Sequence, residues 1–295
     1  CMNPWVLRVG DEYHLYYAGA DAEGFRRICK ATAPMADPTH WRRLGPIFDV
    51  GAPGSFDARW NVLPHVVHMG GDRWHCYYTA NSGVGEGLSA FPGIGVAISE
   101  DGGATWDKYA GNPILPVTRR EGDPDRWGIA GGSVLRVRRP DGGSEWRYYY
   151  TGCPTLGDDL FLNPQKRCCL AVSPDGLTWR RGEGYGDNLQ LGPAGAGWER
   201  QMVEYPAVIR EGDRWRLFYC GNGYGATGIG TARSSPLRAV PAGVGGEIIV
   251  VGEGLSAPWQ GRLPAEIIAN EGRMTAPTAR GSRWHGPDAH GQLWH

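Results

Sequence analysis

Several signatures of common protein classes are missing from this chain. No run approaches the ~18 apolar residues a membrane-crossing helix needs, and no signal peptide is read at its start. No block of like charge occurs: 30 Lys and Arg stand against 31 Asp and Glu, for a formal net charge of −1. The arginines are scattered and sit beside acids, as in Glu211, Asp213 and Arg214, which describes a solvated mixed-charge surface and argues against a nucleic-acid partner. The 7 cysteines (Cys1, Cys29, Cys76, Cys153, Cys168, Cys169 and Cys220) are odd in number and include no CxxC pair. That excludes a tidy disulfide framework and a structural zinc site. Several cysteines lie within apolar strand patterns, where the thiol serves as a small hydrophobe. A reducing, cytoplasmic setting is therefore expected, with no disulfide. Secretion, or a lipoprotein anchored through Cys1, is the alternative, and a trimmed chain explains Cys1 more simply. No HExxH and no sustained 3.6-residue periodicity is found.

What is abundant points to strands. With 47 Gly and 22 Pro the chain turns often, and 13 Trp and 13 Tyr supply β-favouring bulk. Four segments repeat one pattern, an apolar strand, a Gly-Asp or Gly-Gly turn and an aromatic strand. They are NPWVLRVGDEYHLYYAG, LPHVVHMGGDRWHCYYTA, AGGSVLRVRRPDGGSEWRYYYTG and YPAVIREGDRWRLFYCGN. Each reads as a hairpin. A third strand follows each time, in RRICKATA, GIGVAISE, RCCLAVSP and TGIGTARS. Two of these run into SEDGGATW and SPDGLTW, and Trp41 holds the matching place in the first copy. The Trp opens a fourth, outer strand.

Units of three or four strands repeated along one chain predict an all-β, five-bladed β-propeller. The blades fall at about 1–50, 51–115, 116–190, 191–235 and 236–295, within one domain. Four repeats are clear and the fifth is degenerate: GGEIIVVGEG and LPAEIIANEG offer two strands, and the tail from Thr275 is polar and irregular.

SEDGGATW fits the Asp-box pattern S-x-D-x-G-x-T-W, and SPDGLTW is a shortened form. Asp101 and Asp175 are expected to cap these turns by accepting backbone N–H bonds, which is a structural task. Gly223, Gly225 and Gly228 spell G-x-G-x-x-G, but the strand-like IGTARSSP follows where a dinucleotide site needs a helix, so nucleotide binding is rejected.

The repeat, the D-G-x-T-W turns and the segments GSFDARWNVLPHVV and VEYPAVIREGDRWRLFYCGNGYG resemble the five-bladed propeller glycosidases: the arabinanase and xylosidase group (glycoside hydrolase family 43) and the invertase and levanase group (family 32). The resemblance spans roughly residues 1–235 and is more specific for fold than for substrate. It implies a funnel on the propeller axis where a Glu acts as general acid, one Asp as base or nucleophile and another Asp tunes the acid. Glu204, in VEYPAVI, matches the acid in its E-x-P setting. Asp57, ahead of the second inner strand, is the base or nucleophile by this reading. Asp125, with Asp123 as its rival, is the tuner. Taken one at a time, these aspartates are equally well explained as loop carboxylates satisfied by a turn or a nearby Arg. The family commonly carries Asp-Pro where this chain has Asn3-Pro4, and Asn cannot act as a base.

Sugar contacts are expected from Asn3, Arg59, Trp60, Asn61, His65, Arg126, Trp127, Tyr205 and Asn222, with Trp60 and Trp127 stacking on a sugar face or packing between blades. Cleavage of a furanoside-type or related glycan follows from the resemblance. The alternative is a non-catalytic glycan-binding propeller, motivated by Asn3. A sialidase fits less well, since no convergent set of three arginines is seen. No organic cofactor is expected. The axial channel has room for a metal ion, but no residue pattern indicates one. As a general acid, Glu204 is expected to be partly buried beside another carboxylate, both of which would raise its pKa. The partner expected is a carbohydrate, with no nucleic acid and no membrane span; the sequence carries no signal of oligomeric state.

Overall fold

The computed structural model describes residues 1–85, 90–138, 143–155, 165–181, 189–193, 197–211, 214–233, 237–240 and 249–252. Strands dominate them. The first unit is antiparallel: β1 (Met2–Val9), β2 (Glu12–Ala20), β3 (Arg26–Pro34) and β4 (Arg42–Pro46). The second holds β5 (Trp60–Gly70), β6 (Arg73–Asn81) and β7 (Gly93–Ser99), with the short β8 (Asp107–Lys108) and β9 (Leu115–Pro116) both on β7. The third repeats this with β10 (Gly128–Arg138), β11 (Ser144–Cys153), β12 (Arg167–Ser173), β13 (Arg180–Arg181) and β14 (Leu189–Leu191). The fourth is β15 (Glu204–Glu211), β16 (Arg214–Cys220) and β17 (Ile229–Arg233). A hairpin of β18 (Leu237–Val240) and β19 (Ile249–Gly252) follows, overlapping the EIIVV segment expected to be a strand. The expected AEIIA strand and the polar tail from Thr275 lie outside the described residues.

The first strands of successive units lie side by side, β1 on β5, β5 on β10 and β10 on β15. Every one of them carries a bulge at the same place, between Met2 and Trp5, Val62 and His65, Ala130 and Ser133, and Glu204 and Ala207. Asn3, Leu63 and Tyr205, each one residue into the bulge, adopt left-handed φ of 56°, 55° and 54°. A non-glycine side chain pays for that conformation with roughly 1 kcal/mol or more. Three repeats of it need strong neighbours to hold them.

Those neighbours are polar latches from one unit to the next. The residue that leaves each bulge reaches the backbone of the following first strand. Trp5 Nε1 donates to the Val66 carbonyl at 3.0 Å. His65 Nε2 lies 3.1 Å from Val134 N, and Val208 N donates to Ser133 Oγ at 3.0 Å. Valines 66, 134 and 208 occupy one equivalent position. A second latch acts on the bulge itself: Gly131 N donates to Thr79 Oγ1 at 2.6 Å, and Tyr205 N to Thr151 Oγ1 at 2.8 Å. Buried donors and acceptors must be paired somewhere, and here a neighbouring unit supplies the partner.

The apolar cores also sit between units. Tyr16, Ile28, Val66, Cys76 and Trp106 join the first unit to the second. Tyr77, Ile94, Val134, Tyr148 and Trp146 join the second to the third, and Tyr149, Leu170 and Val208 the third to the fourth. Fully burying side chains of this size stabilises by about 1.5–3 kcal/mol each, so the units hold one another rather than themselves. At the outer edge the Asp turns form as their chemistry demands. Asp101 Oδ1 accepts from Thr105 N at 2.9 Å, and Asp175 Oδ1 from Thr178 N at 2.7 Å. Among the described residues no helix is long and apolar enough to cross a membrane. All seven cysteines are free thiols, and burial pushes the pKa of six of them up.

Candidate active site

Glu204 starts β15 and lies at the first-strand bulge. The equivalent positions of the other units are Met2, Val62 and Ala130, followed by Asn3, Leu63 and Gly131. Of these, only the fourth unit presents a carboxylate. Glu204 is completely buried, and its Oε2 accepts from Lys166 Nζ at 2.7 Å. Lys166 is only 2% exposed. Its ammonium lies 3.5 Å from the centre of the Tyr224 ring, which stacks on Tyr205 at 6.2 Å. Glu204 Oε1 has no hydrogen-bond partner among the described residues. Burial raises the Glu204 pKa, while Lys166 works against the rise. For Lys166, burial acts downward, but Glu204 and the phenols of Tyr224 outweigh it and hold the ammonium above its usual range. The expected neighbour was a second carboxylate; the structure places a lysine there instead.

Asp57 and Asp125 have hydrogen-bond partners in their own units. Each closes the same three-part cluster inside its own unit. Asp57 Oδ2 accepts from Lys108 Nζ at 2.6 Å and from the Tyr78 hydroxyl at 3.1 Å. Asp125 Oδ2 accepts from Arg181 Nε at 2.6 Å and from the Tyr150 hydroxyl at 2.8 Å. Both aspartates are buried. The fourth unit has a shorter version, in which Glu199 accepts from the Tyr219 hydroxyl at 2.6 Å. Each acid stands in the loop before a first strand, each tyrosine on the second strand, and each cation two residues after a turn Trp (Trp106, Trp179). The cluster thus pins the incoming loop across the unit's own strands. Each carboxylate is engaged by a cation and a phenol of its own unit, the arrangement that the loop reading of the sequence describes. Asp123, the rival of Asp125, pairs at the surface with Arg120 at 3.0 Å.

Several expected sugar contacts prove to be structural. His65 is a buried latch whose ring lies 3.9 Å from that of Trp5. Desolvation lowers its pKa to about 4, so it is neutral. Asn61 is buried and donates to the Asp49 carbonyl at 3.1 Å. Asn222 Oδ1 accepts from Gln201 N at 2.8 Å and Met202 N at 3.2 Å, clipping the loop that delivers Glu204. Five others stay at the end of the sheets where the first strands begin. Trp60 is half-buried beneath the Arg26 guanidinium, 3.9 Å from its centre. Arg126 and Arg119 both lie 5.0 Å from the Trp127 ring. Arg59 covers the Phe25 ring at 4.4 Å. Asn3, half-buried, begins the first-unit bulge at this same end.

Lys166, Tyr224 and Arg26 escaped the sequence reading, yet a signal existed. Arg26 pairs with Ala20, and Lys166 stands one residue before Arg167, which pairs with Gly152. Superposing the repeats therefore puts both basic residues at one position, at the start of a third strand beside the next unit's bulge. An open depression lined by Ile98, Asp101, Thr105 and Tyr109 sits at the outer edge of the second unit, away from this cluster.

No protein-family model matches the chain. An uncharacterized protein of Mycobacterium tuberculosis strain H37Rv, Rv1502, is 26% identical over 243 residues, covering 77% of this chain and 69% of the relative. Its counterpart in strain CDC 1551, MT1551, gives the same figures, 26% over 243 residues. Among solved structures, a thermostable family-43 glycoside hydrolase superposes with a TM-score of 0.56 at 16% identity, covering 85% of this chain and 70% of its own. A structure from the GH130 family, described as mannoside phosphorylases that include glycoside hydrolases targeting β-1,2 mannosidic linkages in Candida mannan, gives 0.56 at 17% identity, covering 82% and 67%. A GH32 β-fructofuranosidase of Bombyx mori gives 0.51 at 17% identity, covering 78% of this chain and 45% of that one. The chain shares the all-β fold of these solved structures.

Proposed function

We propose that this protein is a glycoside hydrolase, closed as a single five-bladed propeller over residues 1–295, with Glu204 as the proton donor to the leaving oxygen. The observation that carries the reading is the position of Glu204: a buried carboxylate at the inner bulge of one unit where the other three have none. A general acid needs its pKa raised toward the working pH, and desolvation supplies that push here. Hydrolysis places the Glu204 proton on the leaving oxygen and the oxygen of water on the anomeric carbon. The water's proton must pass to a base. Asn3 cannot take it, and Asp57 is engaged by Lys108 and Tyr78.

That engagement supports a second reading, a propeller that binds glycans without turning them over. A panel of aryl furanosides and pyranosides, alongside unactivated oligosaccharides, separates the two. Cleavage of at least one substrate is expected, with Glu204→Gln lowering kcat/KM by about 10²–10⁴ on unactivated substrates and much less on activated aryl glycosides. Unchanged turnover of an unactivated substrate by Glu204→Gln removes the acid assignment. Tight glycan binding with no turnover by the unaltered protein establishes the second reading.

A further inference from the structure

We propose that the mouth above Glu204 takes an anionic glycan, a chain bearing hexuronate carboxylates, and that Arg26 is the residue that binds the carboxylate. The inference deepens the glycan reading of this site and rests on it.

Several arginines among the described residues have an acid at hand, such as Arg27 with Asp21 and Asp49, and Arg120 with Asp123. Four others gather at one end of the sheets. Arg26, Arg59, Arg119 and Arg126 each lie against an aromatic ring and have no carboxylate partner among the described residues. A guanidinium stacked face-on to a ring has one face desolvated while its N–H edge stays free to donate. Arg26 is half-buried, and its guanidinium donates to the Met2 thioether at 3.6 Å, a weak acceptor. Arg126 Nε is buried with no acceptor among the described residues. Burying cationic donors without an anion is costly, so a ligand that supplies one gains what the fold has left unpaired.

Arg26 also has the right address. Its guanidinium reaches the thioether of Met2, the bulge residue of the first unit that is equivalent to Glu204 in the fourth. A ligand reaching from Arg26 toward Glu204 therefore follows the end of the sheets where the first strands begin, where Trp60 and the Trp127 ring with its two arginines also lie. Flat rings beside fork-shaped donors suit a sugar whose ring face is apolar and whose edge bears a planar carboxylate, because two parallel N–H···O bonds fit that geometry. A phosphate or sulfate would engage the same donors, and the experiment tells these sources apart.

Binding of galacturonate and glucuronate trisaccharides to the full chain is measured by titration calorimetry, each against its neutral methyl ester, with inorganic phosphate as a third ligand. The uronates are expected to bind about tenfold or more tighter than their esters, with the advantage shrinking as salt is raised. Arg26→Met should abolish that advantage, and Arg119→Gln, at an exposed site, should reduce it severalfold even if the first variant fails to fold. Equal affinity for acid and ester, no binding of either, or an advantage that survives the substitutions overturns the proposal. So does phosphate binding as tightly as the uronates, which marks a site for a free anion. Turnover plays no part in this readout. Loss of the hydrolase reading through Glu204→Gln therefore leaves the charge preference measurable, and loss of the charge preference leaves the hydrolase reading standing.

Discussion

Glu204 and Lys166 form a buried pair in which neither charge can be removed alone without stranding the other. Lys166→Met should destabilise the fold by about 3–5 kcal/mol, the usual consequence of leaving an uncompensated buried charge. The double variant Lys166→Met/Glu204→Gln should recover much of that loss, read as the urea midpoint of each protein. If Glu204 is the acid, the lysine also restrains its pKa, so Lys166→Met should move the alkaline limb of the pH–rate profile upward; an unmoved limb disconnects the pair from catalysis. The buried histidines set a different pH dependence. Desolvation lowers the pKa of both His65 and His75 from 6.5 to about 4. Their neutral forms are thus favoured in the folded state, and the unfolded chain takes up protons first as pH falls. Stability is whole above pH 6.5 and is lost toward pH 4, by roughly 2–3 kcal/mol per histidine at about 1.4 kcal/mol per pKa unit. Urea titrations at about pH 7.5 and pH 4.5 should show the drop, and His75→Phe should flatten it. A stability independent of pH over that span contradicts the assignment of both rings as buried and neutral.

The loops before the first strands are held by the Asp57, Asp125 and Glu199 clusters, whose substitutions should read as stability rather than chemistry. Asp125→Asn, with its carboxylate fully buried against Arg181, should lose about 3–5 kcal/mol. Asp57→Asn should lose a similar amount, since Lys108 is 26% exposed and Arg181 21%. Loss of turnover in Asp57→Asn with an unchanged urea midpoint would return that residue to the catalytic set. Where first strands meet, Gly132 is pressed between neighbours: a Cβ there would strike the Tyr149 carbonyl and come within 2.8 Å of Pro206 Cγ. Gly132→Ala should force the third and fourth units apart and destabilise by about 3 kcal/mol. The strands themselves were legible in the sequence, because alternation, Gly-Asp turns and the turn Trp are local signals. The clusters were not. Asp57 and Lys108 are 51 residues apart, and a carboxylate ahead of a strand looks the same whether it faces a sugar or a lysine. Only the recurrence of Tyr78 and Tyr150 on second strands, and of Lys108 and Arg181 after Trp106 and Trp179, could have told the two apart.

Four units were readable from repetition alone, since each copy carries the same apolar strand and aromatic strand, and Glu204 was singled out by the family resemblance of VEYPAVI. How the units join was not readable, because the latches are made by dissimilar residues. Trp5, His65 and Ser133 share a position and a task but no chemistry that a pattern search would group; they share only an ability to bond a backbone group in the next unit. The fourth unit has Ala207 in that place, and its side chain can make no such bond. The latches also all point one way along the chain, each unit reaching forward to the one made after it. A duplicated segment therefore copies both the hook and the backbone it catches, and the joint comes with the copy. Such a molecule can lengthen by whole units without inventing a new interface. During synthesis, each unit that leaves the ribosome already holds out the contact that its successor will complete.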